Sequence, residues 1–177
     1  MRQEGHQPVV VVIGVSGSGK STVAGGLAEA LEAPFAEADS FHPKANIDKM
    51  SAGQPLTDDD RWPWLRAIAN WIGQCAERDG GVVTCSALKR RYRDLLRSAS
   101  NQVWFLHLHG DRDLIAKRMS GRSGHFMPPE LLDSQFADLE PLAADEPGFV
   151  ADVAHSPERI VESAVAALRA WQGSRPA

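Results

Sequence analysis

Five consecutive β-branched residues, Val9-Val10-Val11-Val12-Ile13, run directly into Gly14-Val15-Ser16-Gly17-Ser18-Gly19-Lys20-Ser21. An unbroken apolar run bounded by glycine reads as a strand buried on both faces. The residues beyond it, Val23, Leu27, Ala30 and Leu31, are spaced for a helix. Strand, glycine-rich loop and helix in that order, with the spacing G-x-x-x-x-G-K-S, predict backbone N–H groups converging on one concavity at the positive end of a helix dipole. That concavity suits phosphate. On this reading Gly14, Ser16, Gly17, Ser18 and Gly19 form the cradle of an ATP site and Lys20 reaches the outer phosphates as a point charge. The Ser21 hydroxyl faces Mg²⁺, and Thr22 faces the α-phosphate. A glycine-rich turn without a ligand is the alternative.

Apolar runs recur at residues 9–13, 34–36, 82–85, 103–108 and 149–153, with helical patterns between most of them. Such alternation predicts an α/β fold in three layers, a parallel sheet with helices on both faces. A chain of 177 residues with 43% hydrophobic content forms one such domain, large enough to bury about 70% of its unfolded surface. The helix after Asp60 is expected to turn Trp64, Ile68, Trp71, Ile72 and Cys75 inward, with Asp59 or Asp60 as cap and Pro63 in its first turn. The last helix is expected to start at Ser156 and Pro157 and to bury Ile160, Ala164, Leu168 and Trp171. Residues 1–7 and 173–177 are read as frayed ends.

Nineteen Lys and Arg against 23 Asp and Glu give a net charge of −4, which argues against a nucleic-acid surface and for local anion sites. The basic clusters Lys89-Arg90-Arg91-Arg93 and Lys117-Arg118-Arg122 are then solvated helix faces unless position says otherwise. Two cysteines, Cys75 and Cys85, make no disulfide framework, and no apolar stretch approaches the ~20 residues that span a bilayer. The first seven residues are too short and polar for a signal peptide, so a cytoplasmic location without membrane or nucleic-acid partners is expected.

A phosphate loop leaves GTPases, ATPases and kinases open, and the choice lies at the carboxyl ends of the other strands. Asp39, just past the second apolar run, is placed to accept a proton from an acceptor hydroxyl and to order water on Mg²⁺, or with Ser40 to cap the helix of Ile47 and Met50. The third run ends in Thr84-Cys85-Ser86-Ala87-Leu88-Lys89 without the aspartate of a Walker-B strand, which disfavours a motor and leaves Ser86 and Lys89 for a polar substrate. Lys89 as a solvent-facing first-turn residue is the other reading. Arg118 and Arg122, with glycines at 121 and 124, suggest a mobile lid over about residues 118–130 that closes arginines on the transferring phosphate; a basic helix terminus is the plainer reading. Lys20, Asp39 and Arg118 are the catalytic candidates, and Arg118, Arg122 and Pro157 complete the nucleotide set. His107 and His109 read as structural, and Trp62 as the tryptophan most open to solvent.

These segments resemble the small bacterial-type gluconokinases. The resemblance runs through Gly14–Ser21, Asp39-Ser40-Phe41-His42-Pro43 with Asn46, Lys49 and Met50, Thr57-Asp58-Asp59-Asp60-Arg61 and Ser86-Ala87-Leu88-Lys89. It continues through Tyr92-Arg93-Asp94, Gly124-His125-Phe126 and Ser134-Gln135-Phe136. Ala38 stands where that family usually has glycine. The resemblance implies a P-loop fold like that of nucleoside monophosphate kinases, phosphorylation of D-gluconate at O6 by ATP with Mg²⁺, and a homodimer. A carboxylated polyol needs cations and hydrogen-bonding side chains. Arg61 is the first choice for the carboxylate because its planar fork matches two oxygens, and Lys89 the second. His42, Lys49, Ser86, His125 and Gln135, with Asp39, complete the substrate set. The competing readings are another small-molecule kinase of this fold, resembling shikimate kinase, and a nucleotide-binding regulator with little turnover.

Overall fold

A computed structural model of the chain describes residues 7–120 and 129–175. Five strands, β1 (Val9–Ile13), β2 (Phe35–Glu37), β3 (Gly81–Thr84), β4 (Val103–His109) and β5 (Gly148–Asp152), form one wholly parallel sheet in the order β2-β3-β1-β4-β5. The strand with the five-residue apolar run is thus the central one, and all five of its residues are buried. All five expected runs are strands, with no end displaced by more than one residue.

Alternation along these strands divides the core. Val10, Val12, Val82, Trp104 and Leu106 face α1 (Lys20–Leu31) and α7 (Pro157–Ser174). Val9, Val11, Val83, Val103 and Phe105 face α3 (Asp58–Ala76) and α4 (Arg90–Arg97). Both faces of the three central strands are covered, which is why these strands carry runs of apolar residues rather than a strict apolar–polar alternation, while the edge strands β2 and β5 stay partly exposed. α2 (Lys44–Ser51) follows β2 through a 3-10 turn, and α5 (Arg112–Ser120), which follows β4, packs on α6 (Pro129–Asp138).

Local expectations change at the start of α3 and at the end of α7. α3 is capped by Thr57 rather than by Asp59 or Asp60. The Thr57 side chain accepts from the Asp60 N–H at 3.2 Å, and the Asp60 carboxylate accepts from the Thr57 N–H at 2.8 Å, a reciprocal capping box. The helix therefore starts before Asp60, and Pro63 sits in its second turn. Trp62 is half-buried, edge-on to Tyr92 with ring centroids 5.8 Å apart. Gly173 and Ser174, expected to fray, complete α7, and Arg175 beyond them stacks on Trp171 at 4.5 Å. α7 otherwise begins as its sequence indicates, with the Ser156 hydroxyl accepting from the Arg159 N–H at 3.2 Å and Pro157 as the first helical residue.

Candidate active site

The central strand ends in the glycine-rich loop, and the loop feeds α1. Gly17 has φ +80, and a Cβ there would lie 2.4 Å from the Met119 side chain; at Gly14, φ +150, a Cβ would lie 2.9 Å from the Leu108 carbonyl oxygen. No other residue fits either position. α1 starts without a side-chain cap and without an acidic residue in its first turn, so its first N–H groups point out of the helix end unclaimed by any side chain of the protein. The Ser18 hydroxyl is buried without a hydrogen-bond partner in the protein, and Ser18 lines the adjoining cleft. An uncapped helix end, a buried unpartnered hydroxyl and a cationic side chain at the same turn fit the phosphates of a nucleotide.

Lys20 donates its ammonium to the Gly14 and Val15 carbonyls, both at 3.0 Å. Burial pulls its pKa down to about 8 despite the nearby Asp39 and Glu37 carboxylates. A cleft of about 480 Å³, within the range of small-ligand sites, opens beside the loop on the β4–β5 side. Gly17, Ser18, Gly19 and Thr22 form one wall; Arg118 and the β5–α7 turn from Val153 to Pro157 form the other. Arg118 donates to the Val153 carbonyl, which holds it at the cleft edge. His155 also lines the cleft. Sequence reasoning missed it, since a lone histidine before a helix cap carries no signal of its own.

On the other side of the loop, toward β2 and β3, a small recess of about 50 Å³ gathers Arg61, Ser86 and Lys89 with Trp64, Tyr92 and Asp138. Three of the expected substrate residues thus come together from two distant segments. Arg61 donates to the Tyr92 hydroxyl at 3.2 Å and lies 3.6 Å from Asp58, while Lys89 sits over the Tyr92 ring at 5.9 Å. Asp39 is exposed in the 3-10 turn Ala38–Phe41 that follows β2. Ala38 fits that turn without a positive φ; its carbonyl accepts from the Trp64 indole at 2.7 Å, so the family's usual glycine is not required by the backbone.

Other expected members lie elsewhere. Lys49 pairs with Asp60 at 2.6 Å, and this bond with the Thr57 contacts holds the Asp60 carboxyl down at about pKa 2. His42 stacks flat on Trp64, centroids 4.3 Å apart, and meets the Asn46 amide at 3.3 Å; burial lowers its pKa even though Asp39 pulls the other way. Gln135, on α6, is turned to the phosphate loop: its carbonyl oxygen accepts from the Ser16 N–H at 2.7 Å and its amide donates to the Ser16 hydroxyl at 3.0 Å. Arg122 and His125, with most of the expected lid, lie outside the described residues. The basic cluster from Lys89 to Arg93 divides: Lys89, Arg90 and Arg91 remain at least partly exposed, and Arg93 leaves solvent altogether. Arg91 pairs with Asp58, Arg90 grips Asp145 at 2.6 Å, and Arg93 is completely buried.

A family model described as shikimate kinase matches residues 16–169. The gluconokinase of Gluconobacter oxydans is 46% identical over 165 residues, 92% of this chain and 93% of that protein. The chain belongs to the gluconokinase family. Among solved structures, a gluconokinase from Sinorhizobium meliloti superposes with a TM-score of 0.85 at 45% identity, covering 97% of this chain and 99% of that one. A sugar kinase from Janibacter sp. gives the same TM-score at 52% identity, covering 92% and 95%. A family enzyme of this kind is a kinase, and the phosphate loop at the central strand is where its nucleotide chemistry belongs. Among the described residues no helix is long and apolar enough to cross a membrane.

Proposed function

We propose that this chain transfers the γ-phosphoryl group of ATP to the O6 hydroxyl of D-gluconate, giving 6-phospho-D-gluconate and ADP. One observation carries the reading: the phosphate loop stands between a nucleotide-sized cleft and a recess whose cations, Arg61 and Lys89, and hydroxyl, Ser86, come from α3 and the loop after β3. That recess offers what a sugar acid needs, a forked cation for the carboxylate and hydrogen-bonding groups for the hydroxyls. In the transfer the acceptor oxygen bonds to the γ-phosphorus as the bond to the β-phosphate oxygen breaks, and the hydroxyl proton passes to the Asp39 carboxylate. Lys20 supplies positive charge to the transferring group, and Arg118 supplies it from the cleft edge. Bound Mg²⁺ would neutralise charge on the phosphates. Among the described residues no cluster of three or more His, Cys, Asp or Glu is built for a metal. The fit is therefore to an ion that arrives with the nucleotide, held by Ser21 and, through water, by Asp39. The family resemblance supports a homodimer, which sedimentation equilibrium tests.

Coupled ADP release over a panel of sugar acids and shikimate tests the activity. Gluconate is expected to give the highest kcat/KM by at least an order of magnitude, and Asp39→Asn to lower kcat about 100-fold with a smaller change in gluconate KM. ADP release indifferent to gluconate overturns the reading.

A further inference from the structure

Arg93 is 0% exposed and lies under the acceptor recess, not in it. Its guanidinium uses every donor it has. Nε and Nη2 grip the Glu146 carboxylate at 2.7 and 3.0 Å, Nη1 reaches the Ala87 and Leu88 carbonyls at 3.1 and 3.2 Å, and Nη2 also reaches Pro141 at 3.4 Å. Glu146 is buried as well and accepts from the Ala143 N–H at 3.1 Å. The pair therefore fastens the loop after β3 to the segment between α6 and β5, a link reinforced by the Glu140 N–H bonding the Leu88 carbonyl at 2.7 Å. The fastened loop is under strain: Ala87 has φ +42, a left-handed conformation that a residue with a Cβ does not adopt unaided.

Two buried charges are a poor way to hold a fold together, because desolvation takes back most of what their attraction provides and an apolar pair of similar volume often serves stability as well. The five-donor fork does something an apolar pair cannot. It satisfies the Ala87 carbonyl, shares the Leu88 carbonyl with the Glu140 N–H, and keeps Ala87 bent, with Ser86 and Lys89 on either side of the bend. We propose that the Arg93–Glu146 pair is a positioning device for the acceptor, setting affinity and selectivity for the sugar acid through the Ser86–Lys89 loop while leaving nucleotide binding to the far side of the phosphate loop. This rests on the recess being the gluconate site. Arg93 itself touches no substrate; it acts through the loop it holds.

The test compares the wild-type chain with the double variant Arg93→Met/Glu146→Leu and with Arg93→Lys, which keeps the charge but not the fork. Each variant is expected to melt within a few degrees of wild type and to keep its ATP KM within about twofold. Gluconate KM should rise at least tenfold in both, with lost discrimination among sugar acids. A gluconate KM within twofold of wild type, an equal rise in both KM values, or a double variant that fails to fold each overturns the proposal, since each would make the pair purely structural. Wild-type ADP release that does not depend on gluconate would instead remove the acceptor reading beneath it, so the two failures are distinguishable.

Discussion

Lys20 joins two demands that pull in opposite directions. It must be charged to stabilise a transferring phosphate, yet it is half-buried at its own loop with the Gly14 and Val15 carbonyls as its hydrogen-bond partners among the described residues, and desolvation brings its pKa from 10.5 to about 8. Phosphate oxygens beside the ammonium would raise that value again. Below pH 8 Lys20 is charged before and after nucleotide binds, and affinity is flat. Above pH 8 the free protein has lost the proton that the complex keeps, so binding takes up a proton and affinity falls, by up to about tenfold per pH unit, until the pKa of the complex is passed. Titration calorimetry with ADP at pH 6.5 and 9.5, in buffers of different ionisation enthalpy, should show Lys20 taking up almost no proton at the first pH and approaching one at the second. Affinity and proton uptake that are the same at both would show that Lys20 does not meet the phosphates. The presence of this lysine was legible in the sequence from its spacing alone. Its lowered pKa was not, because that depends on how tightly the loop closes over it.

At the scale of elements, α3 shows what a single capping residue settles. Thr57 closes the capping box with Asp60, and the same Asp60 carboxylate receives Lys49 from α2. Thr57 thus fixes the start of the helix that carries Arg61 into the acceptor recess. Thr57→Ala leaves the Asp60 N–H of the first turn of α3 without its side-chain partner and is expected to cost about 1 kcal/mol. For a domain of this size that is a fall of roughly 2–4 °C in Tm, measurable by scanning calorimetry. Thr57→Ser should restore it, and an unchanged Tm in the alanine variant would mean that Asp60 holds the helix start without the box. The expectation of Asp59 or Asp60 as cap failed for a definite reason: three aspartates in a row all suit a helix N-terminus, and only the geometry of the chain entering from Leu56 decides which residue stays outside the helix. Periodicity likewise gave the faces of α3 and α7 but not the partners of Lys49 and Gln135. Those partners, Asp60 and Ser16, lie 11 and 119 residues away in sequence, and the second is set wholly by tertiary packing.

For the molecule as a whole, the strand runs and the glycine-rich loop made the architecture readable, since only a sheet covered on both faces accommodates five apolar strands with helices between them. The polar interior was not readable. Arg93 and Glu146 look like surface residues of an ordinary charged helix and loop, and His107 looks like one member of an alternating strand. His107 lies on the face of β4 shared with Val103 and Phe105, is 3% exposed, and has its pKa lowered from 6.5 to about 4, first by burial and then by the charges of His109 and Arg93. The sign follows from proton counting. Between pH 6.5 and 4 the unfolded chain binds a proton at this position that the folded chain refuses, so stability is full above the unfolded pKa and drains away as pH falls through that window. Carboxylates such as Asp60 and Glu146, held below their ordinary values, keep their full contribution through this window and lose it only at lower pH. Among the described residues the interval from pH 6.5 to about 5 therefore belongs chiefly to buried His107, with a smaller share from half-buried His42, whose pKa is also lowered. Urea denaturation at pH 7.5, 6 and 5 should show the midpoint falling with pH in the wild-type chain. In His107→Gln, which keeps a polar side chain but cannot be protonated, the fall should shrink to the His42 share. An equal fall in both proteins would place the acid sensitivity elsewhere and make His107 neutral to the pH stability of the sheet.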